Sequence, residues 1–126
     1  MTGERVLVVE DNEKNMKLFR DVLDASGYRT LEATTGGEAV AMASEHTPDL
    51  VLMDIQLPDL DGVQALHRLR ADPRTATIPI VALTAQAMHG DRERFLAAGF
   101  DGYISKPVNI RDLIRTVREH CDRGSR

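Results

Sequence analysis

The chain has 126 residues, 42% hydrophobic and 29% charged, with a formal charge of −4 at pH 7. That length suits one domain over 1–126 with a core at about 4–122, no appended output domain is expected, and the composition argues against a disordered chain. Mild acidity argues against direct DNA or anionic-membrane binding, a single Cys121 excludes an internal disulfide, and no apolar run reaches the ~20 residues of a membrane span, so a cytoplasmic domain is expected.

The first apolar run is Val6–Val9, and it does not alternate with polar residues. A strand of that kind is buried on both faces, as in a parallel sheet covered by helices. Glu13 to Ser26 follows at helical spacing, with Met16, Phe19 and Leu23 as one set and Leu18, Val22 and Ala25 as another; Gly27 stops it as a left-handed cap. Arg29–Ala33 is a weaker strand, and Gly37 to about Glu45 is a helix carrying Ala39, Val40, Ala41, Met42 and Ala43. Leu50–Met53 is a strong strand, followed by a helix from Gly62 to about Ala71 with Val63, Leu66 and Leu69. Ile78–Leu83 is a strong strand, followed by a helix over Asp91–Ala98 that Gly99 stops. Tyr103–Ile104 is a weak strand, and Ile110 to about Cys121 is a last helix with Leu113, Ile114 and Val117. Five strand–helix units in series imply right-handed crossovers and a doubly wound α/β fold. At this size the flavodoxin-like (βα)5 strand order 2-1-3-4-5 is expected.

In such a sheet, ligands bind beyond the carboxyl ends of the strands, where the order switches. The first strand delivers Glu10 and Asp11 there, the third Asp54, the fourth Thr84, and the fifth Ser105-Lys106-Pro107. Strands one and three are neighbours in the expected order, so three carboxyl groups converge. Either one carboxyl pKa rises sharply or a cation neutralises the group. All candidate ligands are oxygens, which suits a hard cation such as Mg²⁺. Asp11 and Asp54 could bind it directly, Glu10 through water, and a loop carbonyl near Gln56 could complete the set. Lys106 would point into the same pocket and pair with Asp54 or with a phosphoryl group on it, and Thr84 offers one hydroxyl donor. Taken alone, Thr84 reads as a strand-end hydroxyl and Lys106 as a surface ion pair; the combination is what a phosphoryl-transfer site needs. A cis Lys106–Pro107 bond would turn the chain sharply, but the trans isomer is expected on general grounds.

The motifs Val8-Val-Glu10-Asp11-Asn12, Leu52-Met-Asp54-Ile-Gln-Leu-Pro58 with Asp61-Gly62, Ala82-Leu-Thr84-Ala85 and Tyr103-Ile-Ser-Lys106-Pro107 resemble the receiver domain of two-component response regulators. The resemblance covers essentially the whole chain and is strongest to the DivK-type single-domain regulators. The segment Thr84-Ala-Gln-Ala-Met-His-Gly-Asp91 also resembles receivers within hybrid kinases.

The resemblance implies that Asp54 is the phosphoacceptor. It also implies that Asp11, Asp54 and the Gln56 carbonyl bind Mg²⁺ (Mn²⁺ could substitute), with Glu10 assisting through water. Thr84 would hydrogen-bond the phosphoryl group and Lys106 would pair with it. Tyr103 occupies the family's aromatic switch position, although its spacing alone reads as a partly buried strand tyrosine. Gln56 and Gln86 fall where phosphoryl lifetime is tuned. The donor would be a histidine kinase or a phosphotransfer protein. The surface read by downstream proteins would be the fourth helix, fifth strand and fifth helix, including Gln86, Ala87, Met88 and Tyr103. Such a domain is no enzyme beyond its own phosphorylation and dephosphorylation.

An Mg²⁺-dependent phosphatase working through an aspartyl phosphate would need an Asp-x-Asp motif, whereas Asp54 is followed by Ile55-Gln56 and Asp11 by Asn12-Glu13. A flavin or nucleotide binder would want a glycine- or hydroxyl-rich loop where this chain has Glu10-Asp11. His46, His67, His89 and His120 have no ligand spacing and read as solvated surface imidazoles. Cys121 reads as a helix-end packing residue.

Overall fold

The computed structural model describes residues 3–59, 61–85 and 91–124. In chain order the elements are β1 (Arg5–Val9), α1 (Glu13–Ala25), β2 (Arg29–Ala33), α2 (Gly36–His46), β3 (Leu50–Asp54), α3 (Gly62–Ala71), β4 (Ile80–Thr84), α4 (Asp91–Ala98), β5 (Gly102–Ser105) and α5 (Ile110–Gly124). The five strands form one sheet in the order β2-β1-β3-β4-β5, and every neighbouring pair is parallel.

The unbroken apolar runs follow from two-sided burial. Side chains alternate across a strand. Val6 and Val8 therefore join Leu50, Leu52, Val81 and Leu83 on one face, under Met16, Phe19 and Leu23 of α1 and Leu113, Val117 and Cys121 of α5. Leu7 and Val9 join Val51, Met53, Ile80 and Ala82 on the other, under Ala39 and Ala43 of α2, Ala65, Leu66 and Leu69 of α3, and Phe95 of α4. Residues at every position of β1, β3 and β4 must be apolar to satisfy both layers, apart from those at the strand ends.

Local chemistry sets the boundaries. Asn12 caps α1, its side chain accepting from the Asn15 N–H, and Thr35 and Asp61 cap α2 and α3 in the same way. Gly27, just past the end of α1, has φ +90°, a conformation that costs an L side chain dearly. Strand β4 begins at Ile80, two residues later than the apolar run suggested. Pro79 has no N–H to give a neighbour, although its carbonyl accepts from the Val51 N–H at 3.0 Å. Of the second spaced set on α1, Val22 is only partly buried and Ala25 is exposed, so the Met16–Phe19–Leu23 stripe alone is the core face.

Two expectations are corrected. His120 is buried, not solvated: α5 turns it towards β5, and a Cβ added to Gly102 would lie 3.3 Å from its Nε2. The periodicity of α5 places it one residue before buried Cys121, at the margin of the core stripe, and the small Gly102 leaves room for the ring. The Lys106–Pro107 peptide is cis, not trans. Of the other imidazoles, His67 is exposed and His46 half-exposed, while His89 lies outside the described residues. Among the described residues, no helix is long and apolar enough to cross a membrane.

Candidate functional site

The carboxyl ends of β1, β3, β4 and β5 open on one edge of the sheet. Val9 pairs in register with Met53, so Glu10 and Asp54 leave adjacent strands side by side. Asp54 ends β3 and Thr84 ends β4; the Lys106 N–H donates to the Thr84 carbonyl at 2.7 Å and holds the end of β5 against β4.

One carboxylate oxygen each from Glu10, Asp11 and Asp54 lies within 4.8 Å of the others, the only such trio among the described residues. Lys106 Nζ donates to Glu10 Oε1 at 2.7 Å and to Asp54 Oδ2 at 2.8 Å, from positions 96 and 52 residues away in the chain. The second oxygens are also engaged. Glu10 Oε2 accepts from the Asn12 N–H at 3.1 Å, and Asp54 Oδ1 accepts from the Gln56 N–H at 2.9 Å. Glu10 and Asp54 are buried, whereas Asp11 is exposed at the mouth.

Burial pushes the Glu10 carboxyl above its ordinary range, the neighbouring Asp54 charge adds to this, and the Lys106 and Asn12 hydrogen bonds only partly oppose it. Burial alone would pull the Lys106 ammonium down, but hydrogen bonds and charge from Asp54 and Glu10 carry it above the usual lysine value. The lysine is therefore a fixed positive charge at neutral pH. Three carboxyl groups face one ammonium, so the cluster retains an excess of negative charge in a partly dry setting. An all-oxygen donor set of this kind fits a small hard dication.

Thr84 is buried at the same edge. Tyr103 is half-buried, its ring centroid 6.2 Å from that of Phe95 on α4. The Gln56 side chain is exposed in the loop after β3. Gln86, Ala87 and Met88 lie outside the described residues. Asn12 was visible in sequence as part of a motif, but its backbone hold on Glu10 was not. Gly62 owes its identity to proximity: a Cβ there would lie 2.9 Å from the Asp54 carbonyl oxygen and 2.9 Å from Ile55 Cα. Both neighbours are backbone and cannot swing aside. Gly62→Ala is expected to cost about 1–3 kcal/mol, measured by urea unfolding; an unchanged midpoint would mean that the loop yields freely.

A doubly wound parallel sheet whose switch-point edge gathers acidic groups under one lysine defines a receiver module. A family model described as the response regulator receiver domain matches residues 6–118. The chain belongs to the response regulator receiver domain family and is thus a module of two-component signalling, a signalling protein and not a classical enzyme, whose class works with histidine kinases or phosphotransfer proteins.

Within that family it is similar to the polar-differentiation response regulator DivK of Brucella abortus (strain 2308), with 49% identity over 115 residues, 91% of this chain and 94% of the relative. DivK of Brucella melitensis biotype 1 matches to the same extent, 49% over 115 residues. Among solved structures, the receiver domain of a Pseudomonas aeruginosa PAO1 sensor histidine kinase superposes with a TM-score of 0.88 at 38% identity, covering 96% of this chain and 99% of that one. That crystal structure holds a magnesium ion coordinated in its active-site cleft. The chemotaxis response regulator CheY4 of Vibrio cholerae gives a TM-score of 0.88 at 26% identity, over 94% of this chain and 99% of that one.

Proposed function

We propose that this domain is a DivK-like phosphorelay receiver that takes a phosphoryl group onto Asp54 from a phosphohistidine on a kinase or phosphotransfer protein. The observation that carries the reading is the bridging of Asp54 and buried Glu10 by Lys106 Nζ, at 2.8 and 2.7 Å. It sets a cation beside the carboxylate we read as the nucleophile, at the carboxyl edge of the sheet.

Asp11, Asp54 and the Gln56 carbonyl would hold Mg²⁺, with Glu10 reached through water. When bound, the metal draws charge from the phosphoryl oxygens. An Asp54 oxygen attacks phosphorus in line. The O–P bond forms as the P–N bond to the donor imidazole breaks, and the donor histidine leaves with the electron pair. Lys106 stays charged throughout and offsets the charge spread over the equatorial oxygens. The acyl phosphate then offers acceptors that bare Asp54 lacks, and Thr84 donates its hydroxyl to one of them. Displacement of Thr84 frees space that Tyr103 fills, so a local charge change biases a two-state element. Gln56 and Gln86, both uncharged, would set the lifetime of the acyl phosphate by shielding it from water.

Downstream proteins would read the α4–β5–α5 face. A groove of about 510 Å³ runs there, lined by Leu96, Tyr103, Asn109, Arg115 and Glu119. Leu96 is 41% exposed on its rim, an apolar anchor for a partner.

Incubation with acetyl phosphate and Mg²⁺, followed by intact mass, tests the phosphoryl step. One added phosphoryl group is expected, and none when a chelator removes the metal. A protein that stays unlabelled under both conditions would overturn the reading.

A further inference from the structure

The loop that leaves Asp54 is tied across the sheet edge to α2. Asp59 accepts from the Gly36 N–H with Oδ1 at 2.7 Å and from the Gly37 N–H with Oδ2 at 2.9 Å. These amides lie in the first turn of α2, where backbone donors have no partner within the helix. The helix already has its own cap: Thr35 accepts from the Glu38 N–H, and Glu38 Oε1 accepts from the Thr34 N–H at 2.7 Å. The Asp59 bonds are additional, and they join residues 23 and 22 positions apart. The seat is shaped to the carboxylate, since a Cβ added to Gly37 would lie 3.2 Å from Asp59 Oδ2.

The two ends of the loop are held separately. At its start, the Ile55 N–H donates to the Leu83 carbonyl at 3.0 Å. At its end, the Gly62 N–H donates to the Ile55 carbonyl at 2.9 Å. The Gln56 side chain is exposed, its N–H donates to Asp54 Oδ1 at 2.9 Å, and partly buried Leu57 packs against the core just beyond it. Three residues on from Gln56, the two bonds that Asp59 accepts from the Gly36 and Gly37 amides add a further restraint at the crest of the loop.

We infer that Asp59 is a positioning residue for the cation site: docked on the Gly36 and Gly37 amides, it fixes the loop so that the Gln56 carbonyl faces the metal. The inference rests on the Mg²⁺ reading proposed above. Mg²⁺ demands near-ideal octahedral geometry at short distances. A neutral carbonyl ligand on an exposed loop meets that demand only if the loop is anchored. Asp59 thus acts on the metal through backbone geometry, without touching it.

The test compares the wild-type protein with Asp59→Ala and Asp59→Asn. Mg²⁺ is titrated at low salt and at high salt, where fields from distant exposed charges are screened, and amide chemical shifts are followed. Hydrogen exchange of the Gly36, Gly37 and Gln56 amides is measured in metal-free protein. Asp59→Ala is expected to weaken Mg²⁺ binding about 5- to 10-fold, at the low end for loss of a supporting partner, and to speed exchange at all three amides. Asp59→Asn keeps the shape and one acceptor but not the charge, so an intermediate loss is expected. Faster exchange at Gly36 and Gly37 with unchanged Mg²⁺ affinity would overturn the inference alone. So would equal losses in both variants that vanish at high salt, because these would mark a field effect. A wild-type protein that binds no Mg²⁺ would overturn the metal reading as well.

Discussion

Asp54→Asn is expected to take no phosphoryl group from acetyl phosphate in the presence of Mg²⁺, a loss of about three orders of magnitude or more in labelling rate. The amide is nearly isosteric, so its oxygen can still accept from the Gln56 N–H, as Asp54 Oδ1 does at 2.9 Å. What disappears is the negative charge that, on the proposed reading, would attack phosphorus and hold the cation. The substitution removes one of the charges that push Glu10 upward, but it also sets the amide NH2 where Asp54 Oδ2 accepts from Lys106 Nζ at 2.8 Å, so the metal-free variant is expected to fold with some loss of stability. Intact mass and circular dichroism on the same samples separate the two effects. A folded Asn variant that still gains one phosphoryl group would show that the acceptor lies elsewhere.

Lys106→Met should produce the largest change in stability, and one that depends on pH. The Lys106, Glu10 and Asp54 side chains are 18%, 1% and 7% exposed. Removing the ammonium leaves two buried carboxyl groups facing each other, which costs about 2–3 kcal/mol at neutral pH, somewhat below the usual figure for breaking a buried pair because Glu10 can take up a proton.

The sign follows from Glu10. Its folded pKa is already raised above the ordinary 4.5, so the fold favours its protonated form. The stability contribution of Glu10 is present below that ordinary value and is lost as pH rises through the folded one. Without Lys106 the folded pKa rises further. The deficit of the variant should therefore be widest at neutral pH and narrow as the solution is acidified. In the parent protein, the contribution of Lys106 persists below its ordinary 10.5 and is lost as pH climbs through its raised folded value. Urea unfolding across pH, with and without Mg²⁺, measures both, and the metal should recover part of the loss. A deficit equal at all pH values would mean that only packing was lost. Labelling by acetyl phosphate should fall about 100-fold or more, as when one charge-stabilising donor is removed from a reacting centre.

Much of this protein is legible in its sequence because the information is local or periodic. Runs without alternation at Val6–Val9, Leu50–Met53 and Ile78–Leu83 report burial on two faces, and two-faced burial requires a helical layer on each side. Strict strand–helix alternation then implies parallel pairing, and parallel pairing puts every strand's carboxyl end on one edge. That chain of reasoning brings Glu10, Asp54 and Lys106 together without coordinates, since each ends or directly follows its strand.

Other features depend on residues far apart in the chain that no period connects. Asp59 is an ordinary loop acid until the fold sets Gly36 and Gly37 beside it. Gly62 reads as a turn residue until the backbone at Asp54 and Ile55 closes on the space a side chain would occupy. His120 reads as a surface imidazole until the fold sets Gly102 of β5 beside it, where an added Cβ would lie 3.3 Å from its Nε2.

The amino-acid order alone determined the layers, the parallel pairing and the edge where chemistry gathers, because hydrophobic period and strand–helix alternation act over a few residues at a time. Tertiary packing alone decided which oxygen of each carboxyl group meets Lys106 and how the loop after Asp54 is anchored. Those outcomes turn on distances of a few ångströms between segments tens of residues apart, and such distances exist only once the sheet has closed.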